Sequence, residues 1–337
     1  MKRIVLVLSL IFLFCCSFFP VPLLYASAPG GNKFQVELFG GFSMLNPWDL
    51  NQQTLYDMAY EEFYHEWQYR HYHSLLGDNF TYTVQAEGVF KKIKNALPLG
   101  FRIRYFLTPS LSISMGFTYL SKKQNSRVTY RYDVRSLNPD DVFYYNEFSS
   151  TSENSPYSLF VKGYVLPSGI FYKIKGNRFL DFEAYLTAGP IFAECGFARQ
   201  HNYRESNSYG YWYEENVFYE IKGKGVGVAL DTGIRMNIHV LKKLNLFVEC
   251  GYSLRSAVKI SGPGSRETVY NDANSSGYTD SADWEGTWFV LRRELNRPWG
   301  GPMIANFLSN EYGGGEYPNF KLDLSGLQVK IGISFEL

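Results

Sequence analysis

The last eleven residues alternate without a break. Leu327, Val329, Ile331, Ile333, Phe335 and Leu337 fall on one parity, and Gln328, Lys330, Gly332, Ser334 and Glu336 fall on the other. Successive side chains of a β-strand point to opposite faces, so this segment presents one continuous apolar face and one continuous polar face. Its length matches a single tilted strand crossing of a bilayer.

The same period recurs upstream, with branched or aromatic residues on one parity and small or charged residues on the other. A first strand over 34–44 sets Phe34, Val36, Leu38 and Phe42 against Gln35, Glu37 and Ser43. A second sets Leu97, Leu99, Phe101, Ile103 and Tyr105 against Arg102 and Arg104; a third sets Leu111, Ile113, Met115, Phe117 and Tyr119 against Ser112, Ser114, Gly116 and Thr118. A fourth, near 157–174, changes the parity of its apolar residues around Pro167 to Gly169, which reads as a β-bulge. In the fifth, Leu180, Phe182, Ala184, Leu186 and Phe192 oppose Asp181, Glu183 and Thr187. The sixth has Val226, Val228, Leu230, Ile234 and Met236 opposite Gly225, Gly227, Asp231 and Arg235, and the seventh has Leu244, Leu246, Val248, Tyr252 and Leu254 opposite Asn245, Glu249 and Arg255.

The N-terminus points to export. Lys2 and Arg3 precede an apolar run from Ile4 to Leu24, and Tyr25-Ala26-Ser27-Ala28 supplies small residues for cleavage. Residues 1–28 are expected to be a cleaved signal peptide, with a cut after Ala26 or Ala28, and 29–337 the mature domain. Pro20 and Pro22 argue against a retained anchor helix, and Phe14 before Cys15 and Cys16 argues against lipidation. Every later apolar stretch is short or interrupted. A chain that crosses a membrane without helices must close its strands on themselves, because no backbone polar group can stay unpaired in lipid.

Connections set the expected topology. Thr108-Pro109-Ser110, Lys175-Gly176-Asn177-Arg178 and Leu241-Lys242-Lys243 are tight turns, and they alternate with long loops near 46–78, 136–156, 204–215 and 262–320. The expected fold is all-β: an eight-stranded antiparallel up-and-down transmembrane β-barrel with short periplasmic turns and long outer loops. If a hairpin around Trp284, Gly286, Trp288 and Val290 entered the bilayer and Lys91 to Asn95 formed a turn, the count would be ten or more.

On its signal peptide, its eight alternating segments and its closing Val329, Ile331, Ile333 and Phe335, the chain resembles the small OmpA-like, OmpX-like and opacity-protein-like outer-membrane barrels. That resemblance implies the outer membrane of a Gram-negative-type envelope as its location and outer-membrane lipid as its surroundings. It also implies that the barrel-assembly machinery reads the C-terminal strand Val329, Ile331, Ile333, Phe335 and Leu337 during biogenesis. Members typically end on an aromatic residue. This chain ends on Leu337, with Phe335 two residues earlier on the same face.

The inward parity carries nearly balanced charge: Arg102, Arg104, Arg235, Arg255 and Lys330 against Glu37, Asp181, Glu183, Asp231, Glu249 and Glu336. An eight-strand interior is just wide enough to be filled by side chains, so these residues are expected to form a packed network of ion pairs. The alternative reading of the same lining is a narrow pore for ions or small solutes. Lys and Arg number 33 against 32 Asp and Glu, with no long basic run, so nucleic acid is not an expected partner.

No catalytic residues, cofactor or metal site are assigned, and the chain is expected not to be an enzyme. His65, His71 and His73 cluster near Glu61, Glu62 and Glu66 but match no ligand spacing. His201 and His239 lie near opposite ends of their strands. Cys195 and Cys250 fall on opposite parities of strands that do not adjoin, so both are expected to be free. The 27 tyrosines and 27 phenylalanines gather at the loops as well as the strands. In the first loop Tyr56, Tyr60, Phe63 and Trp67 share one helical face, and the last loop carries Trp284 and Trp288. For the first loop, capping of the barrel mouth is the favoured reading; the functional alternative makes these six residues the candidate binding surface for a glycan or protein ligand.

Overall fold

The computed structural model describes residues 34–45, 47, 49–51, 53, 69–70, 73–74, 80–136, 147–177, 179–207, 212–241, 243–273, 277–287, 289–295, 303–309 and 320–337. The expected signal segment, 1–28, lies outside them. Among the described residues the strands are β1 (Phe34–Met44), β2 (Phe80–Gly88), β3 (Asn95–Phe106), β4 (Leu111–Ser136), β5 (Glu147–Val165), β6 (Ser168–Gly176), β7 (Leu180–Asn207), β8 (Trp212–Leu241), β9 (Leu244–Asp272), β10 (Tyr278–Thr287), β11 (Phe289–Leu295), β12 (Met303–Ser309), β13 (Leu322–Asp323) and β14 (Gly326–Glu336).

All the strand pairings are antiparallel. They run from β1 to β3, β4, then β5 and β6 together, β7, β8, β9 and β14, and β14 pairs back with β1 from Gln35 opposite Glu336 to Ser43 opposite Gln328. Along this circuit every strand has a partner on both edges. β2 and β10 are additions, pairing with the far halves of β4 and β9; β11 and β12 form a separate two-stranded sheet.

Three sequence expectations are corrected. The bulge read at Pro167 to Gly169 is absent: Thr118 faces Val165 and Met115 faces Ser168, three residues on in both strands, so nothing is inserted between β5 and β6. The same holds on the other edge, where Val165 faces Ile191 and Ser168 faces Ala188. Proline lacks an N–H to donate, so it interrupts the ladder without shifting it. The register does shift lower down, between Lys173 and Lys175.

Much of the expected loop length is strand. β4 continues to Ser136 and β5 begins at Glu147, β7 and β8 leave only 208–211 between them, and β9 continues to Asp272 before returning as β10. Finally, β2 over Phe80–Gly88 pairs with Val128 to Ser136, a strand additional to the eight expected.

What the sequence presents as a parity change on the fourth strand is an exchange of faces. In the lower half the apolar residues point outward and are exposed: Leu38, Leu99, Ile170, Leu186, Val228 and Ile331 are among them. In the upper half the apolar residues point inward, with no register shift across the exchange from β5 through β7 to β8, while between β8 and β9 the register shifts at Lys224/Val226. Leu159, Val161, Ile191 and Ile221 are wholly buried, while the outward positions between them carry Lys162 and Glu194.

The upper interior is filled. Leu45, Leu50, Phe90 and Ile93 from the first connection, and Phe320, Leu322 and Leu324 from the segment before β14, join Leu120, Tyr157, Ala257 and Ile260 in one buried cluster. Asn51 ties the connection to itself, donating from Nδ2 to the carbonyl of Ile93 at 3.0 Å and accepting the Ile93 N–H on Oδ1 at 3.0 Å. Lys321 N donates to Asp49 Oδ2 at 2.9 Å, which joins the two segments. Each fully buried leucine or isoleucine here contributes about 1.5–3 kcal/mol.

Candidate functional site

Below the apolar plug the interior is charged. Alternation on β1, β3, β7, β8, β9 and β14 aims Glu37, Arg102, Arg104, Glu183, Asp231, Arg235, Glu249, Arg255 and Lys330 into one volume, where each is at most 5% exposed. Arg102 Nε donates to Glu37 Oε2 at 2.6 Å and its Nη2 reaches Glu249. Arg104 binds Glu183 through Nη1 and Nη2 at 3.0 and 2.9 Å and also donates to Ser112 Oγ. Arg235 Nη1 lies 2.8 Å from Glu37 Oε1 and 3.2 Å from Glu249 Oε1. Arg255 Nη2 grips both oxygens of Asp231 at 3.0 and 2.8 Å, and Lys330 Nζ lies 3.4 Å from Asp231 Oδ2.

Aromatic rings line the network. The Phe171 ring lies 4.4 Å from the Arg102 guanidinium and 4.3 Å from that of Arg104, and Phe247 lies 3.8 Å from that of Arg235. A desolvated cation over a ring gains up to about 2 kcal/mol, which helps offset the cost of taking it out of water. Phe171 and Phe247 were missed by sequence reasoning, which sorts apolar residues outward.

Two of the predicted charges sit apart from the other nine. Asp181 binds Lys173 Nζ at 2.7 Å and His239 Nε2 at 2.9 Å at the lower mouth. Glu336 accepts from Asn245 Nδ2 at 3.1 Å, and Asn245 Oδ1 faces His239 Nδ1 at 2.8 Å. Lys173, His239 and Asn245 were missed as members of this cluster. Their shared inward parity at three strand ends was the available signal.

In the C-terminal strand, Val329, Ile331, Phe335 and Leu337 are exposed and outward, with Ile333 half-buried on the same face. Cys195 is buried, Cys250 is exposed, and both are free.

The candidate binding surface is only partly described. Tyr56, Tyr60, Phe63, Trp67 and Trp288 lie outside the described residues, as do His65 and His71. Trp284 is described, and its indole covers the backbone of Gly264 and lies 5.6 Å from Tyr219, packed against the upper core. His73 packs against Tyr69 and Phe80. Among the described residues no group of three or more His, Cys, Asp or Glu is placed to hold a metal ion.

Above the plug, β7, β8, β9 and β10 continue as a four-stranded wall. Directly paired residues share a face, so the register stacks rows on the inner side. The lowest row is Phe197, Ile221, Gly264 and Trp284; next come Arg199, Tyr219, Arg266 and Ala282; then His201, Val217, Thr268 and Asp280; then Tyr203, Glu215, Tyr270 and Tyr278. The rings of Tyr270 and Tyr278 stack at 4.5 Å, and Tyr203, Tyr213 and Tyr270 follow one another at 6.1 and 6.4 Å. Arg266 Nη2 pairs with Asp280 Oδ2 at 3.3 Å. Burial and the neighbouring Arg199 guanidinium pull the His201 imidazole down to about 3. Burial and the adjacent Glu215 carboxylate push the Tyr213 phenol up.

No protein-family model matches this chain, and no curated protein matches its sequence. Among the solved structures similar to it are two outer membrane proteins. One is a major outer membrane protein from Thermus thermophilus, at 11% identity and a TM-score of 0.30, covering 90% of this chain and 98% of that one. The other is the outer membrane protease OmpT from Escherichia coli, at 7% identity and a TM-score of 0.27, covering 93% of this chain and 99% of that one. Likeness at these scores adds nothing to the geometry.

Proposed function

We propose that this chain is an eight-stranded transmembrane barrel of the outer membrane, without enzymatic activity, that keeps its lumen closed and works through the wall it raises above the bilayer. The observation that carries the reading is the exchange of faces along β5, β7 and β8, whose mutual register is continuous through it. A water-soluble barrel is apolar inside along its whole length. Here the lower interior is ionic and the lower exterior apolar, which is the arrangement lipid requires.

The dimensions agree. On β8 the outward apolar residues run from Val226 to Val240. Fourteen rises of about 3.4 Å, inclined at about 45°, span roughly 34 Å, enough to cover a hydrocarbon core of about 30 Å. Above Val226 the strand continues to Trp212, on the order of 45 Å along its length. That reach exceeds what closing a barrel needs and supports a role in contact outside the membrane.

The narrow-pore reading has less support. Nine interior charges pair with one another, and an apolar cluster to which two connecting segments contribute lies over them. The test is conductance of the purified protein in planar bilayers: the closed-lumen reading expects no stable, well-resolved channels, and reproducible channels whose selectivity changes in Arg235→Met would replace it with the pore.

A further inference from the structure

We propose that the upper inner face of the raised wall is a saccharide-binding platform, centred on the stacked pair Tyr270 and Tyr278 and edged by Glu215, Arg266 and Asp280. The inference rests on the reading of the chain as a membrane barrel with its wall outside, and it names what that wall binds.

Three features favour a sugar over other occupants. First, Tyr278 is 59% exposed while its other side stacks on Tyr270, so a rigid phenol presents itself at low entropic cost. Second, the polar groups beside the rings include both donor and acceptor. Arg266 and Asp280 are paired at 3.3 Å with side chains 49% and 56% exposed, and Glu215 sits between Tyr203 and Tyr270 in the same row. A pyranose offers an apolar C–H face to a ring and adjacent hydroxyls that both donate and accept, and this set answers both. Third, the three charges at the platform sum to only −1, one Arg against two carboxylates. That gives little electrostatic pull on polyanions or polycations, and the patch lacks the contiguous apolar centre that a protein partner would bury.

The platform is large enough for more than one ring. Rows two residues apart are about 6.8 Å apart along the strands, and Tyr203, Tyr213, Tyr270 and Tyr278 extend across four strands, which suits an oligosaccharide laid along the rim.

The experiment uses full-length mature protein in nanodiscs, probed with an array of defined neutral and acidic oligosaccharides and, in parallel, with a random peptide library. Saccharide binding is expected. It should fall at least tenfold in Tyr278→Ala and in Tyr270→Ala, stay within about twofold in Tyr278→Phe, and weaken severalfold in Asp280→Asn. Resistance of each variant to unfolding in SDS without heating reports the barrel separately. Folded, inserted protein that binds no saccharide, binds saccharide equally well without the two tyrosines, or binds peptides instead would overturn this inference and leave the barrel reading standing. Protein that binds saccharide in detergent but fails to insert would do the reverse.

Discussion

Arg235 on β8 and Glu37 on β1 meet at 2.8 Å although three pairings separate their strands, so the contact crosses the interior. Both side chains are wholly buried. Together with Arg102–Glu249 and Arg104–Glu183, this contact forms crossbars between strands that do not adjoin, while Glu37–Arg102 and Asp231–Arg255 tie neighbouring strands.

Removing one end of a crossbar leaves the other charge stranded. Glu37 serves Arg102, Arg104 and Arg235 together, so Glu37→Gln should destabilise the protein by about 3 kcal/mol, the usual cost of breaking a buried pair. Urea unfolding in detergent micelles measures it. Because the partners share one network, Glu37→Gln and Arg235→Met together should cost clearly less than the sum of the two alone.

Asn51 substitutes for a strand neighbour by satisfying both backbone groups of Ile93 inside the plug. In Asn51→Ala those groups are buried without partners, at a cost of about 2 kcal/mol. Amide hydrogen exchange should quicken at Ile93 and across 320–325, with the lower strands β3 and β14 unchanged.

His201 gives the upper wall an acid-sensitive step. Its folded-state value of about 3 lies below the ordinary 6.5, so the unfolded chain takes up a proton first as pH falls. This contribution is fully present above pH 6.5 and is lost progressively down to about pH 3. Wild type and His201→Gln should differ in stability by a constant amount above about pH 7, and the wild type should lose ground to the variant between about pH 6 and about pH 4, as read by thermal unfolding across that range.

The alternation of β1, β3, β7, β8, β9 and β14 was legible because an apolar exterior and a polar interior repeat it at every second residue, and the nine mutually paired charges follow from parity alone. The height of the wall was not. Above the exposed apolar band the outward face carries few apolar residues, so Ser, Tyr and Glu in the far halves of β4, β5 and β7 read as loop. The supposed bulge at Pro167 arose from the same cause: Leu159, Val161 and Val165 face a buried plug, whereas Ile170, Tyr172 and Ile174 face outward on the same strand line. Periodicity reports a change in what surrounds a strand and a slip in its register with the same signal. The plug itself draws on Leu50, Phe90, Ile93 and Phe320, which lie between strands and carry no period to read.

Site-specific accessibility along β5 and β6 tests the exchange of faces most directly. Nitroxide labels placed one at a time at Ser158, Phe160, Lys162, Ile170, Tyr172 and Ile174, in a Cys250→Ala background reconstituted into liposomes, would be relaxed by oxygen, which partitions into lipid, or by an aqueous nickel chelate. The expected result is oxygen-dominated relaxation at 170, 172 and 174 and nickel-dominated relaxation at 158, 160 and 162. Nickel dominance at 170–174, or oxygen dominance at 158–162, would contradict a membrane boundary between the two groups.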